Sequence, residues 1–341
     1  MPTKKAIECE MKITSIIGTR PQYIKIKPWS DYCETNGIQH TIVDTKQHFS
    51  HNVSDDLITD LDLSIDHFLR IRNFSEMEFI CGCIRQLEYL LRRYRPDRIL
   101  LFGDTNSAFS AALVAHRLRI PLAHAEAGER SGDRTMSEEA NRIFIDSVAD
   151  YNLCSSESAL NNVERGWVVG DLEYEFLNNI DPKIQNKDFG LMTIHRASNT
   201  NLETMQAIFD LCEKIGMNIV FPVHHRTSAT IESLMAPKNV TLTGPCTYRR
   251  MVKYMAECRF IITDSGSIQK TSPFFGKPCL VMRNKTEWTR TEQAGFARKA
   301  TYDKRDERWV LSRAPERQKR FYLFQDDPTK LIYKTLLKTQ T

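Results

Sequence analysis

The sequence predicts an α/β protein with two Rossmann-like, doubly wound domains that face each other across a cleft. Short apolar, β-branched runs alternate with helix-length amphipathic segments along almost the whole chain, a pattern typical of parallel sheets with crossover helices. The alternation stops in a polar stretch and then restarts. In addition, 341 residues exceed the usual size of a single hydrophobic core.

The first half carries five apolar runs that predict strands and three segments that predict helices. The strands are expected at 13–17, 40–45, 98–102, 120–125 and 151–154, and the helices at 74–94, 106–117 and 136–149. We expect an N-terminal domain over 11–170 and take residues 1–10 as an extension before Met11.

The second half repeats the pattern after a polar segment, 171–188, which is expected to link the domains. Strands are predicted at 190–194, 218–223, 240–242, 260–263 and 278–282, and helices at 201–215 and 248–257. These elements define a second domain over 188–320. The final segment, 328–341, predicts a helix with apolar residues on one side.

Composition excludes several classes of protein. A net charge of +4 gives no reason to expect nucleic acid as a partner, and no apolar run approaches the roughly 18 residues of a membrane span. The N-terminus lacks the apolar core of a signal peptide. Nine scattered cysteines without paired Cys-x-x-Cys motifs suit buried thiols in a reducing cytoplasm, and we expect no metal site.

Three carboxylates are expected at one edge of the first sheet. Asp104 and Glu126 follow predicted strands, and Glu138 begins a predicted helix. Because parallel strand ends share an edge, these acids could converge for proton transfer. The alternative for each is structural: Asp104 as a helix N-cap, Glu126 as a loop charge, and Ser137–Glu139 as a capped helix start.

Cations and helix starts predict a diphosphate site. Arg20 and Lys25 flank the turn and helix start after the first strand, a weak anion-site signal by itself. In the second half, basic side chains and a helix start follow the strands, so a nucleotide could bind there with its substituent reaching the first domain. These second-half residues are His195, His224, Ser265, Gly266, Ser267 and Arg283. The alternatives are loop histidines satisfied by backbone groups and a tight turn at Ser265–Gly266.

With these segments identified, the chain resembles the non-hydrolysing UDP-N-acetylglucosamine 2-epimerase family. The resemblance runs from residue 11 to about 300, with motifs in family order. They are GTRPQYIKIKP (18–28), GDTNSAFSAALVA (103–115), HAEAG (124–128), EEANR (138–142), TIHRASNT (193–200), PVHHRT (222–227), TDSGSIQ (263–269) and GKPCLVMR (276–283).

The resemblance implies a glycosyltransferase-B-like fold, a terminal helix that packs back onto the first domain, and a cytoplasmic homodimer without a cofactor. It implies a UDP-sugar substrate whose C2 proton is removed while UDP leaves, followed by re-addition of UDP and a proton to the other face. Asp104, Glu126 and Glu138 would be the acid/base carboxylates, with the step of each left open. The other implied contacts are His195 and Ser265–Ser267 with the phosphates, and Arg20 and Lys25 with the substrate and diphosphate.

Departures from the family pattern bear on the substrate. Ser267 stands where the family has glycine, and Thr271 stands where a glutamate usually holds the ribose hydroxyls. The segment from Glu126 to Glu138 is two residues shorter than in the common enzymes. This shorter segment, together with GDTNS (103–107), QK (269–270) and TEW (286–288), resembles the branch of the family that acts on UDP-2,3-diacetamido-2,3-dideoxy-glucuronate.

The residues and the resemblance are consistent with three functions. The leading one is C2 epimerisation of a UDP-2-acetamido sugar as a precursor for surface polysaccharide. A hydrolysing epimerase would use the same elimination but release UDP and free sugar. A nucleotide-sugar-binding relative without turnover would keep only the fold, and the presence of all three carboxylates argues against it.

Overall fold

The structure is a computed structural model that describes residues 11–47, 51–71, 75–286, 288–312 and 327–338. The chain divides into two compact units. The first unit comprises Met1–Phe176 and Tyr322–Thr341, and the second comprises Leu177–Phe321. The predicted extension 1–10, the end of the predicted second domain (313–320) and the last residues of the predicted final helix (339–341) lie outside the described residues.

Within the described residues, the first unit contains a seven-stranded, wholly parallel sheet of order β3-β2-β1-β4-β5-β6-β7. Its strands are β1 (Lys12–Ile17), β2 (Gln39–Asp44), β3 (His67–Phe68), β4 (Arg98–Phe102), β5 (Leu122–Ala127), β6 (Tyr151–Cys154) and β7 (Trp167–Val168). The central strands are apolar on both faces because crossover helices cover both sides of such a sheet.

The helices of the first unit follow the strands in alternation. They are α1 (Arg20–Thr35), α2 (His51–Asp60), α3 (Glu76–Tyr94), α4 (Asn106–Leu118), α5 (Ser137–Val148), α6 (Glu157–Leu160), α7 (Leu172–Asn179), whose last three residues belong to the second unit, and, from the end of the chain, α14 (Pro328–Leu336). Helix α3 shows why the sequence folds this way. Ser75 caps its N-terminus by accepting from Glu78 N, and Phe79, Cys83 and Leu87 form a buried stripe at four-residue spacing.

The second unit contains, in the described part of the chain, a six-stranded parallel sheet of order β10-β9-β8-β11-β12-β13. Its strands are β8 (Gly190–Thr193), β9 (Ile219–Pro222), β10 (Val240–Thr243), β11 (Phe260–Thr263), β12 (Cys279–Val281) and β13 (Ala297–Lys299). Its helices are α8 (Leu202–Ile215), α9 (His225–Glu232), α10 (Tyr248–Glu257), α11 (Gly266–Phe275), α12 (Thr289–Gln293) and α13 (Lys304–Ser312).

Both sheets have the strand order of a Rossmann fold. Counted within each unit, the order is 3-2-1-4-5-6, and the first sheet has one strand more at its edge. The predicted α/β class with two Rossmann-like sheets is therefore confirmed.

Helix α14 packs on the first unit although it is far away in sequence. The Tyr333 ring lies 5.9 Å from that of Tyr32 on α1, and Thr329 N and Oγ1 donate to Glu175 at 3.0 and 2.8 Å. Ile332 and Leu336 are fully buried. This helix therefore contributes to the core of the first unit.

Several elements were not predicted from the sequence, including helices α2, α6, α9, α12 and α13. The segment expected to be a linker, 171–188, begins with helix α7, where Tyr174, Phe176 and Leu177 are buried. The sequence did not predict this helix because the polar residues around these three side chains leave no periodic hydrophobic pattern. Strands β3, β7 and β13 were not predicted, since runs of two or three residues are too short for a periodic signal.

Most cysteines of the described residues are buried. The cysteines in the described ranges are free thiols, six of which are buried: Cys33, Cys83, Cys154, Cys212, Cys258 and Cys279. No helix among the described residues is long and apolar enough to cross a membrane.

Candidate active site

Four polar residues lie at the switch points of the two sheets. The strand order reverses between β1 and β4 in the first unit and between β8 and β11 in the second. Arg20 and Asp104 follow β1 and β4, while His195 and Asp264 follow β8 and β11. Ligands of open parallel sheets bind in the crevice at such points. Each unit therefore presents a candidate site of its own.

Gln22 ties the two switch-point strands of the first unit together. Its Oε1 accepts from Gly18 N at 2.8 Å and from Thr19 N at 3.1 Å, and its Nε2 donates to the carbonyl of Phe102 at 2.6 Å. The start of α1 is thereby fixed against the end of β4. Arg20 stands in the first turn of α1, and Lys25 lies further along the same helix.

Asp104 is held by helix α5. Arg142 forms an ion pair with the Asp104 carboxylate, and Asn141 Nδ2 donates to the Asp104 carbonyl at 3.0 Å. The N-cap of α4 is Thr105, which accepts from Ala108 N at 3.2 Å. Asp104 is thus not the helix cap of the alternative interpretation, and its carboxylate is bound to a cation.

Glu126 occupies an unusual backbone conformation at the end of β5. Its φ of 66° lies in the left-handed region, and the pairing of β5 with β6 shifts register between Ala125 and Ala127. Such a bulge redirects a side chain, and a strained non-glycine residue requires firm support from its neighbours. The Glu126 carboxylate forms an ion pair with Lys25. It is therefore a positioned group rather than a mobile loop charge.

Gly103 lies beside these side chains in a left-handed backbone conformation. Its φ is 67°, and a Cβ at this position would lie 3.4 Å from Glu126 Oε2 and 4.0 Å from Lys25 Nζ. Glycine adopts this backbone conformation without steric cost. The turn between β4 and Asp104 consequently brings the backbone of one strand close to the carboxylate of the next.

The two glutamates at the start of α5 have different surroundings. Glu138 is exposed in the first turn, and the residue at the cap position, Met136, makes no side-chain capping bond. Glu139 is buried and accepts from Ser131 N at 2.9 Å, Gly132 N at 3.1 Å and Arg142 Nη1 at 2.8 Å. Glu139 holds the preceding loop and Arg142, whereas Glu138 can face a ligand.

The three predicted carboxylates act on one another electrostatically. Burial raises the pKa of Asp104, against the lowering effect of Arg142 and Lys25, and the charges of Glu126 and Glu138 add to the rise. Three acids and two cations thus lie within interaction distance at one edge of the first sheet. Different environments for neighbouring carboxylates favour different protonation states, as acid–base catalysis requires.

Asp264 organises the candidate site of the second unit. It accepts from the backbone amides of His195 and Arg196 at 3.1 and 2.9 Å and from Asn199 Nδ2 at 3.0 Å. His195 Nδ1 lies 3.2 Å from its Oδ1. Burial acts to raise the pKa of Asp264, but His195 and these donors outweigh it, so the pKa is lowered. The His195 ring remains 35% exposed.

Helix α11 begins directly after Asp264. Ser265 is its N-cap, with Oγ accepting from Ile268 N at 3.5 Å, and Gly266 and Ser267 form its first turn. First-turn amides and the helix dipole suit an anion. Thr271 is 1% exposed, and its hydroxyl donates to Ser267 O at 2.9 Å, so it is engaged within its own helix.

The remaining predicted residues of the second unit lie near these strand ends. His224 follows β9, and the centroid of its ring lies 5.6 Å from the centroid of the His195 ring. Arg283 follows β12 by two residues. In the described ranges, no group of three His, Cys, Asp or Glu side chains is arranged to hold a metal ion.

Comparison with known proteins identifies the family. A family model described as UDP-N-acetylglucosamine 2-epimerase matches residues 31–314. The chain belongs to this family. It is 34% identical over 307 residues to the UDP-2,3-diacetamido-2,3-dideoxy-D-glucuronate 2-epimerase of Pseudomonas aeruginosa. The matched region covers 84% of this chain and 87% of that relative. The predicted enzyme class, a UDP-sugar 2-epimerase, is confirmed at the level of the family.

Solved structures of UDP-GlcNAc 2-epimerases have a fold similar to that of this chain. The UDP-GlcNAc 2-epimerase of Methanocaldococcus jannaschii in complex with UDP-GlcNAc and UDP is 27% identical, with a TM-score of 0.81 over 96% of this chain and 99% of that chain. The enzyme of Neisseria meningitidis bound to UDP-GlcNAc is 25% identical, with a TM-score of 0.83 over 96% and 100% of the two chains. These similarities confirm the glycosyltransferase-B-like fold class of this epimerase.

Sequence reasoning did not identify four residues of the epimerase that hold the predicted groups in place. Gln22 and Arg142 lie inside quoted motifs, and Glu139 is the second acid of EEANR. Asp264 was assigned only to a phosphate-binding turn. No periodic signal distinguishes a supporting side chain from a reacting one, because both lie within the same short motifs.

Proposed function

We propose that this protein is a non-hydrolysing epimerase that inverts C2 of a UDP-2-acetamido sugar. The observation that carries the proposal is the pairing of two carboxylates at neighbouring strand ends, each with its own cation. Asp104 pairs with Arg142, and Glu126 pairs with Lys25. Such pairs can exchange protons with a substrate while the cations limit repulsion between the acids.

In the proposed reaction, one carboxylate removes the C2 proton while the C1–O bond breaks and UDP departs with the bonding electrons. The C2–H electrons form the C1=C2 bond of a 2-acetamidoglucal. The C1–O bond then re-forms with UDP as an acid delivers a proton to the opposite face of C2. We assign the base to Glu126 and the proton carrier to Asp104, since burial raises the pKa of Asp104. Glu138, exposed at the start of α5, would assist from the helix terminus.

The second unit would hold the leaving group. His195 and the first turn of α11, with Ser265, Gly266 and Ser267, would bind the diphosphate and stabilise its charge as C1–O breaks. Arg283 and His224 would add positive charge and hydrogen bonds nearby. Arg20 would contact the substrate from the first unit. Thr271, whose hydroxyl is engaged within α11, would border the nucleotide without replacing a ribose-binding carboxylate.

We further propose that the sugar is either UDP-N-acetylglucosamine or its 3-acetamido uronate analogue, as a precursor for surface polysaccharide. The similarity to the Pseudomonas aeruginosa enzyme supports the uronate. The proposed location is the cytoplasm, where the buried free thiols remain reduced. We also propose a homodimer, as the family resemblance implies.

The test is incubation with each sugar nucleotide in deuterated water, followed by NMR. Deuterium at C2 with an intact UDP-sugar and a second C2 epimer is the expected result. Accumulation of UDP with free sugar would instead identify a hydrolysing epimerase. Binding of both sugars without any exchange would refute both enzymatic functions and leave a binding protein.

A further inference from the structure

One buried aspartate contacts the chain on both sides of Glu126, through a backbone amide on one side and a side chain on the other. Asp146, on α5, accepts through Oδ2 from the amide of Gly128 at 3.1 Å, two residues after Glu126. Its Oδ1 lies 2.8 Å from Nδ1 of His124, two residues before Glu126. The left-handed conformation of Glu126 is therefore enclosed between two contacts to a single carboxylate.

His124 extends this support to the turn that carries Asp104. Its ring is completely buried, and its Nε2 lies 2.9 Å from the carbonyl oxygen of Gly103. The amide of Gly103 in turn donates to the carbonyl of Ala125 at 3.0 Å. The Asp146 carboxylate and the Gly103 carbonyl are both acceptors. Both contacts are hydrogen bonds only if both ring nitrogens carry hydrogen.

The energetic cost of this arrangement argues for a role beyond folding. A buried carboxylate with charged partners loses its hydration, and apolar side chains of similar volume often stabilise a fold equally well. Arg130 Nη1 adds a third donor to Asp146 at 2.6 Å. Burial acts to raise the pKa of Asp146, but His124 and Arg130 outweigh it, so the pKa is lowered and the carboxylate stays charged.

We propose that Asp146 and His124 are positioning residues for proton transfer by Glu126 and Asp104. This inference rests on the proposed function, because it assigns the chemistry to those two carboxylates. Asp146 binds the backbone amide two residues after Glu126 and the side chain two residues before it, and His124 connects the same aspartate to the residue before Asp104. Neither touches the substrate. Their contribution is to keep two acids on neighbouring strands in one geometry.

Asp146→Asn tests the proposal, with Asp150→Asn as a matched control. Asp150 accepts from Leu122 N at 2.8 Å, so it supports the opposite end of the same strand with the same chemistry. For Asp146→Asn we expect kcat for C2 exchange to fall about 10- to 100-fold, as misplacement of a reacting group by about 1 Å does. KM and the Kd for UDP should stay within about two-fold, since ground-state binding is unchanged. The control should keep wild-type kcat.

His124→Asn provides a second variant if Asp146→Asn does not fold, because it leaves Asp146 its contacts with Gly128 and Arg130. The same loss of kcat is expected. Wild-type kcat in a folded variant would overturn the proposal, as would parallel losses of kcat and UDP binding. Absence of exchange in the wild type would refute the proposed function itself.

Discussion

Each unit contains an aspartate–histidine pair, on β5 and α5 in the first unit and after β8 and β11 in the second, and the two pairs differ mainly in the exposure of the histidine. In the first unit, His124 is completely buried and its second nitrogen faces a backbone carbonyl. In the second unit, Asp264 is buried but the His195 ring is 35% exposed. Under the proposed function, the same two residue types would thus support a backbone in one place and present a donor to a ligand in the other. Accessibility, rather than residue identity, separates the two roles.

The largest effect is expected from the acids that the first pair supports. Asp104→Asn and Glu126→Gln should each reduce C2 exchange by about 10²- to 10⁴-fold, the usual loss when a general acid or base is removed. UDP binding should be retained, because the nucleotide is assigned to the second unit. Deuterium exchange and calorimetric UDP titration would measure the two properties. Near-normal turnover in both variants would show that other groups transfer the protons.

A smaller effect, of a different kind, is expected from the exposed histidine. His195→Asn should weaken UDP binding about 10- to 100-fold, since a hydrogen bond to a charged group contributes about 1.5–3 kcal/mol. His124→Asn should leave UDP affinity unchanged and reduce kcat. Calorimetry on both variants checks the contrast. Loss of UDP affinity in the His124 variant alone would reverse the assignment of the two pairs.

The two aspartates should also shape the response to acid. Both Asp146 and Asp264 have lowered pKa values in the folded protein. The stability each contributes is fully present above the unfolded pKa of about 3.9 and is lost as pH falls through the folded pKa. Asp146→Asn and Asp264→Asn should each flatten the loss of stability below about pH 4, measured by urea unfolding at several pH values. An unchanged slope would show that the pairs do not stabilise the fold.

The smallest effect is expected at Thr271. Its hydroxyl is buried and donates to the carbonyl of Ser267 within α11. Thr271→Val should therefore change UDP affinity by less than about two-fold, because no hydrogen bond to the ligand is lost. Titration with UDP and with a 2′-deoxy analogue measures this. A marked loss confined to the ribose-containing ligand would show that Thr271 contacts the sugar hydroxyls.

The sequence by itself determined the class of fold and the position of the polar strand ends. Alternating apolar runs and amphipathic segments predicted both sheets, because period-two and period-3.6 patterns are local properties of the chain. Asp104, Glu126 and His195 were identified since each directly follows such a run. The motifs also identified the family, because they preserve residue types in order over most of the chain.

Only the tertiary structure decided which acids are held in place and which side chains hold them. Arg142 lies 38 residues from Asp104, and Lys25 lies 101 residues from Glu126, so neither pair has a local signature. Glu138 and Glu139 are neighbours in sequence, yet one is exposed and the other is buried. Glu126 adopts a left-handed conformation next to residues that contact Asp146, which lies on another element. Pairing across strands and helices sets these environments, and a linear pattern does not record it.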